Sequence, residues 1–296
     1  MKILNFGSLN IDYTYRVPHI VVPGETLTSK SLEVYPGGKG LNQSIALARA
    51  GAEVYHAGMI GADGCFLKQL CEESGVDVRY IREMETRTGN AIIQVSDEGQ
   101  NCILLYAGAN RENTKEYVDQ VLEGFDAGDV LLLQNEINLV DYLMEAAKQK
   151  QMTVVLNPSP FDDYMKGCPL EKVDIFLMNE VEGNQITGKV EPNEILQDMH
   201  FRYPQAKVVL TLGEKGAIYS DGKVSFCQSA IQTKAVDTTA AGDTFTGYYL
   251  AAVLDGQTPK EALLRAARAS AIAVSRAGAS ISIPNKQEVD QCERAQ

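Results

Sequence analysis

Apolar residues along this chain fall into short unbroken runs that alternate with segments of helical period. The run "ILNFG" at 3–7 reads as a buried strand. "GGKGLNQSIALARAG" at 37–51 then reads as a glycine loop feeding a helix, with Leu41, Ile45, Leu47 and Ala48 as its apolar stripe and Gly51 as its end. "EVYHAGMIG" predicts a further strand, and the helical pattern 63–74 closes at Gly75. Later, "DVLLLQNE" at 129–136 and "MTVVLNPSP" at 152–160 predict buried strands around a helix at 139–150. "VDIFLMNEVEG" starts as a strand and turns at Asn179, and "AKVVLTLG" is a strand ending at Gly213. A hairpin follows around Asp221-Gly222, then two alanine-rich helices at 242–255 and 259–276, separated by Gly256 and Pro259. Strand and helix in alternation predict an α/β layer fold.

Two segments break that rhythm. Residues 12–36 carry extended Val, Tyr and Thr residues and three prolines, with no helical pattern. Residues 89–107 read as two strands joined by the turn Asp97-Glu98-Gly99-Gln100. Neither suits a parallel sheet covered by helices. Together they predict a small antiparallel sheet projecting from one principal α/β domain, with a hairpin at a sheet edge as the alternative.

Composition narrows the function classes. In 296 residues, 45% hydrophobic and 22% charged, 27 basic side chains stand against 39 acidic ones, a net charge of −12. That balance disfavours non-specific binding to nucleic acid or anionic membranes, while leaving room for one locally positive anion site. No 18-residue apolar run and no signal-peptide pattern occur, so no membrane partner is expected. Six scattered cysteines without a CxxC pair read as reduced thiols of a cytoplasmic protein, and three isolated histidines make no zinc pattern.

Candidate chemistry gathers at strand ends, where parallel α/β folds bind ligands. Asn10 and Asp12 follow the first strand, and Glu136, Asn157, Asn179 with Glu182, and Thr211 with Gly213 follow later ones. Asn and Asp also cap helices and close turns, so any one of them alone decides little. "PGGKG" at 36–40 is no Walker motif. Its glycines allow close backbone approach to a polyhydroxylated ligand, with Lys39 and Asn42 as hydrogen-bonding groups, or they simply make a turn. In "DTTAAGD", 237–243, a helix starting near Ala241 or Gly242 would aim unpaired N–H groups at an anion past Ala240, Ala241 and Gly242, which lack bulk. Asp243 would then stand beside the anion, able to take a proton from a hydroxyl within reach. The plainer reading makes Asp243 a favourable first-turn charge, with Thr238 or Thr239 as the cap.

Taken together, "GSLNIDYTYRVP", "PGGKGLNQ", "YAGAN" at 106–110, "LNPSP", "MNEVE", "TLGEKG", "DTTAAGDTFTG" and "SRAGASISIP" resemble the ribokinase branch of the PfkB carbohydrate kinases over nearly the whole chain. The resemblance implies a ribokinase-like three-layer α/β/α sandwich formed by residues 1–296, with a small β-sheet lid from about 12–36 and 89–107. It implies Asp243 as general base and Ala240, Ala241 and Gly242 as the anion hole for the transferring phosphoryl group. The sugar site would use Asn10, Asp12, Gly38, Lys39, Asn42, Glu136 and Asp243. Asn179 and Glu182 would organise Mg²⁺ and its water shell, and ATP would extend along Thr211, Gly213, Glu214, Gly216, Gly242 and Ala267. A monovalent ion, K⁺, would be held by Asp237, Thr239, Ala273, Arg276, Gly278 and Ser282, several through backbone carbonyls. The lid would pair with a second copy in a homodimer.

The expected reaction is phosphorylation of D-ribose to ribose 5-phosphate. Another sugar or a nucleoside as acceptor, and a catalytically weak sugar-binding or regulatory protein, are the alternatives. Leu41 inside "GGKGLN" and Ile11 in "NID" depart from common ribokinase residues, which leaves the choice of pentose less fixed than kinase activity. Leu41 is expected on the packing side of its helix and Ile11 in the core or lid hinge.

Overall fold

Runs such as "ILNF" and "VLLL" are buried at every position, so they belong inside a sheet covered on both faces. The computed structural model describes residues 1–294. Its strands are β1 (Ile3–Phe6), β2 (Asn10–Val17), β3 (Ser31–Gly37), β4 (Val54–Gly61), β5 (Asp77–Met84), β6 (Gly89–Ser96), β7 (Asn101–Tyr106), β8 (Val130–Gln134), β9 (Thr153–Asn157), β10 (Ile175–Asn179), β11 (Lys207–Thr211), β12 (Ala217–Ser220) and β13 (Ser225–Gln228). The helices are α1 (Lys39–Ala50), α2 (Cys65–Glu73), α3 (Lys115–Leu122), α4 (Val140–Gln149), α5 (Asp163–Lys166), α6 (Glu180–Thr187), α7 (Pro192–Arg202), α8 (Ala241–Leu254), α9 (Pro259–Val274), α10 (Ala279–Ser282) and α11 (Lys286–Arg294).

Nine strands form the main sheet in the order β13-β12-β11-β10-β9-β8-β1-β4-β5. Pairing is parallel from β5 through to β11, and β12 and β13 complete one edge antiparallel. Successive side chains on one strand serve opposite layers. On β8, Val130 and Leu132 pack with residues of α1, α8 and α9, whereas Leu131 and Leu133 pack with α3, α4 and α7. The result is a ribokinase-like α/β/α sandwich. Strand order reverses at β1, with β4 and β5 on one side and β8 onward on the other, so a crevice opens at the C-terminal ends of β1 and β8.

The segments that break the alternation supply a separate four-stranded sheet, β3-β2-β6-β7. Its expected antiparallel character needs correction, because β2 and β6 run parallel. Both continue outward from the C-terminal ends of parallel strands, β1 and β5, so they leave in one direction, and only their hairpin partners β3 and β7 return. Leu41 is buried within α1 and Ile11 within the same core, as their expected packing roles require. The last long helix stops at Val274, two residues short of its expected end, so Arg276 lies in the turn that follows.

Several elements, β5, α3 and α7 among them, occupy stretches for which the pattern gives no expectation. Strand β5 is an edge strand with few buried positions, and α3 and α7 bury only four and three residues respectively. Such short segments show too few turns for their period to separate helix from strand.

Candidate active site

Gly38 begins the site. Its φ of 95° is in the region that favours glycine, and a Cβ there would stand 3.0 Å from the Asn10 nitrogen and 3.1 Å from Ser8 oxygens. This close approach brings the start of α1 against the end of β1. The first N–H groups of α1 find acceptors there: Lys39 N–H donates to Glu136 Oε2 at 3.0 Å, Gly40 N–H to Ser8 Oγ at 3.2 Å, and Leu41 N–H to the Ser8 carbonyl at 2.9 Å. Lys39 Nζ bridges Glu136 Oε1 at 2.9 Å, and Ser8 Oγ donates to Glu136 Oε2 at 2.5 Å. Glu136 thus caps a helix and neutralises a lysine at once. Burial pushes the Lys39 ammonium down, but Glu136 and Asp243 outweigh it and hold the group above its ordinary value. Asp12 shares this cluster, where burial and Glu136 push its carboxyl up to about 7 against the pull of Lys39. Asn10 Oδ1 accepts from Asn110 Nδ2 at 2.7 Å, so the amide group's remaining capacity is that of a donor.

Helix α8 supplies the opposite wall. Its N-cap is Ala240, at φ 59°, and no side chain caps it. The threonine cap is therefore a correction: Thr239 donates its N–H and Oγ1 to Asp237 Oδ1 instead, at 2.9 and 2.6 Å. Ala241 N–H reaches the Thr238 carbonyl at 3.2 Å, and Gly242 is exposed at the helix end. The helix dipole and first-turn N–H groups give this end a positive potential. Asp243 accepts from Asn42 Nδ2 at 3.0 Å on Oδ2 and from Gln43 Nε2 at 2.9 Å on Oδ1. Burial raises the Asp243 carboxyl, while Lys39, Gln43 and Asn42 pull it back and Glu136 adds to the rise. The carboxylate is thus a stronger base than an ordinary aspartate.

A polar cleft of about 180 Å³ in front of α8 is lined by Lys39, Asn157, Asn179, Glu182, Thr211 and Asp243 among others. Asn179 and Glu182 form a capping box for α6: Glu182 Oε2 accepts the Asn179 N–H at 2.7 Å, and Asn179 Oδ1 accepts from the N–H groups of Val181 and Glu182. Glu182 Oε1 also accepts from Asn179 Nδ2 at 3.0 Å, and the buried carboxylate keeps lone pairs beyond those bonds, which suits a hard cation held through its water shell better than one held by protein ligands alone. A longer cleft of about 480 Å³ adjoins it, lined by Thr211, Gly213, Glu214, Gly216, Ala267 and the apolar Ile231, Phe245 and Val274. Both clefts share Thr211, Thr238, Ala241 and Gly242, so they meet at the α8 N-terminus.

Behind that terminus Asp237 ties two loops together. Its Oδ2 accepts the Gly278 N–H at 3.0 Å, and its own N–H donates to the Val274 carbonyl at 3.2 Å. Burial pushes Asp237 up, but the Thr239 and Gly278 donors outweigh it and hold the carboxyl below its ordinary range. Thr239, Gly278 and the 273–276 turn thus collect around one carboxylate and several backbone carbonyls, a donor set that suits a large monovalent ion. The Arg276 guanidinium points elsewhere, to Glu288 at 2.5 Å, and the Ser282 hydroxyl donates to the Ala279 carbonyl at 2.8 Å. Arg276 can therefore reach an ion in this loop only through its backbone.

The family profile described as pfkB family carbohydrate kinase matches residues 1–286. The chain belongs to the PfkB family of carbohydrate kinases. It is 36% identical to the ribokinase of Haemophilus influenzae over 95% of both chains. Among solved structures it is similar to the ribokinase of Cryptococcus neoformans in complex with ADP, at 32% identity and a TM-score of 0.86, covering 98% of this chain and 99% of that one. It is also similar to the ribokinase of Arabidopsis thaliana complexed with ribose and ATP, at 29% identity and a TM-score of 0.85, covering 98% and 97%.

Within this PfkB kinase several site residues escape sequence reasoning. Ser8 is an ordinary serine until folding sets it beneath two N–H groups of α1 and against Glu136. Gln43 follows Asn42 on a helix, where adjacent residues normally face apart. Nothing in "GGKGLNQ" says that both amides meet one carboxylate. Ile231, Phe245 and Val274 come from three separate segments and read as core until the cleft between them is seen. Asn110 was within reach, since "YAGAN" is part of the resemblance, but its bond to Asn10 spans a hundred residues.

Proposed function

We propose that this protein is an ATP-dependent ribokinase, which transfers the γ-phosphoryl group of ATP to D-ribose to give ribose 5-phosphate and ADP. The observation that carries the reading is the position of Asp243. Its carboxylate lies between the Lys39–Asp12–Glu136 cluster beneath the second sheet and the junction of the two clefts at the α8 N-terminus. Asn10, Asp12, Gly38, Lys39, Asn42 and Glu136 bind and orient the sugar hydroxyls. Thr211, Gly213, Glu214, Gly216 and Ala267 line the nucleotide cleft. Asp243 takes the proton of the attacking hydroxyl as the new O–P bond forms and the bond from Pγ to the β-phosphate oxygen breaks, with ADP as leaving group. Ala240, Ala241 and Gly242 set the helix-terminal donors against the transferring group, where charge stabilisation matters most.

Mg²⁺ entering with ATP would neutralise phosphate charge, its water shell held by Asn179 and Glu182. K⁺ at the Asp237 loop would keep the 237–242 turn in register. The second sheet closes over the sugar and excludes water. Its outer strand β7 is exposed at every position and has an open edge, a combination that normally requires cover, and a second copy of the chain supplies it.

The test is ATP consumption across ribose, other pentoses, fructose and nucleosides, with and without K⁺. Ribose is expected to give the highest kcat/KM, with turnover falling when K⁺ is withheld. Efficient use of another acceptor without ribose turnover would overturn the substrate assignment.

A further inference from the structure

A line of buried amides runs beneath Asp243, and the phosphoryl-transfer reading leaves it unused. Gln43 Nε2, besides its bond to Asp243 Oδ1 at 2.9 Å, approaches Asn157 Oδ1 at 3.4 Å. Gln43 Oε1 accepts from Gln134 Nε2 at 2.7 Å, and Gln134 Nε2 also donates to Asn5 Oδ1 at 2.9 Å. Asn5 Nδ2 donates to the Gly40 carbonyl and to Ser44 Oγ, each at 2.8 Å. Gln43, Gln134 and Asn5 are fully buried, and they belong to α1, β8 and β1.

Burial of an amide is costly unless each polar atom is paired. Leu41 and Ile45 show that α1 packs on this sheet with apolar side chains, so packing does not demand glutamine at position 43. The arrangement is not tuned for bonding alone either, because Gln134 Oε1 is buried without a partner. The Gln134 amide is turned so that its nitrogen serves Gln43 and Asn5 while its oxygen goes unsatisfied. The one charged group at the end of the line is Asp243.

We propose that Gln43, anchored by Gln134 and Asn5, is a positioning residue that fixes the rotamer of Asp243 and keeps a carboxylate lone pair aimed at the sugar hydroxyl. This rests on the reading of Asp243 as general base. Asn42 alone, bound to Oδ2, would let the carboxylate swing about a single contact. A second donor on Oδ1, itself anchored to two strands, removes that freedom. Asn42 Oδ1 has no partner, whereas both polar atoms of Gln43 are engaged inside the protein. The two adjacent amides therefore differ: Asn42 keeps an unpaired oxygen beside Asp243, whereas Gln43 is tied on both sides to the scaffold. Because the Gln43 N–H stabilises the ionised carboxylate, it also helps set the pH at which the base becomes available. The charged groups facing Asp243 are Lys39 at the start of α1, Glu136 after β8 and Glu182 of α6 across the polar cleft.

The test uses the full chain with ribose, or the best acceptor from the substrate screen, and saturating ATP. Gln43→Met keeps length and removes both polar atoms. It is expected to lower kcat by about 100-fold, the order that small misplacement of a reacting group produces, with sugar KM little changed. The acid limb of the kcat–pH profile should move to higher pH, since the carboxylate has lost a donor. Gln134→Met, which leaves the Asp243 contact but removes its anchor, should change both readouts in the same direction and by less. If Gln43→Met does not fold, as judged by its melting transition, Gln134→Met and the shortened amide of Gln43→Asn read the same limb. A Gln43→Met enzyme that binds sugar by calorimetry and retains wild-type kcat and acid limb overturns the proposal. Asp243→Asn separates the two levels: near-normal turnover there sinks the base assignment, whereas an inactive Asp243→Asn beside an unaffected Gln43→Met sinks only the positioning role.

Discussion

Asp12 carries a cost that can be measured without any substrate. Its carboxyl titrates near 7 in the folded protein against an ordinary value of 3.8, because burial and Glu136 both disfavour the charge. Between those values the folded chain holds a proton that the unfolded chain has released. The stability this contributes is complete below the lower value and lost as pH rises through the upper one. Asp12→Asn cannot ionise, so its melting temperature should gain on the wild type as pH rises from about 4 to about 7, then level off. A difference that stays constant with pH would contradict the folded-state shift. At Asp243 the corresponding test is chemical. Asp243→Asn should remove turnover by roughly 10²–10⁴-fold, the range of general base catalysis, while calorimetry shows sugar binding largely retained. The types and spacing of Asn10, Asp12, Lys39, Asn42 and Asp243 were readable along the chain. That Glu136 would be shared between Lys39, Ser8 and the start of α1 was not, because those bonds cross about a hundred residues of sequence.

Helices α1 and α8 carry opposite halves of the site, and one glycine sets how close they come. A Cβ on Gly247 would lie 2.4 Å from Ala46 Cβ and 2.8 Å from the Leu47 nitrogen. Gly247→Ala should therefore push the helices apart and destabilise the fold by roughly 1–3 kcal/mol, the usual range for overpacking. Denaturant unfolding checks that loss. Turnover should fall as well, since Asn42 and Gln43 of α1 must reach Asp243 of α8. An enzyme with wild-type stability and activity would show that the contact is slack. Element positions were mostly legible, as the expected helix at 139–150 and the found α4, Val140–Gln149, illustrate. Strand direction in the second sheet was not. Residue pattern tells which segments are extended, but the parallel pairing of β2 with β6 depends on where β1 and β5 end in space.

At the scale of the whole molecule the second sheet dominates. Leu104, Leu105 and Ile103 on β7 are each more than half exposed, with Val34 and Ile92 exposed on neighbouring strands. If a second copy covers this surface, Leu104→Lys should shift the sedimenting species from dimer toward monomer and raise the sugar KM, because each lid loses its support. A wild-type protein that sediments as a monomer at micromolar concentration would refute the pairing. No helix among the described residues is long and apolar enough to cross a membrane.

What the sequence determined by itself was local and periodic. Apolar runs specified buried strands, glycines marked the turns that approach ligand, and the order of motifs carried the family, because each depends on residues close together in the chain. Tertiary structure decided which groups meet. It freed the α8 N-terminus by sending Thr239 to Asp237, joined two clefts at Gly242, and set Gln43 and Asn42 on the two oxygens of Asp243. Those contacts arise from strand order and helix packing, and distances between remote segments are fixed only when the sheet assembles.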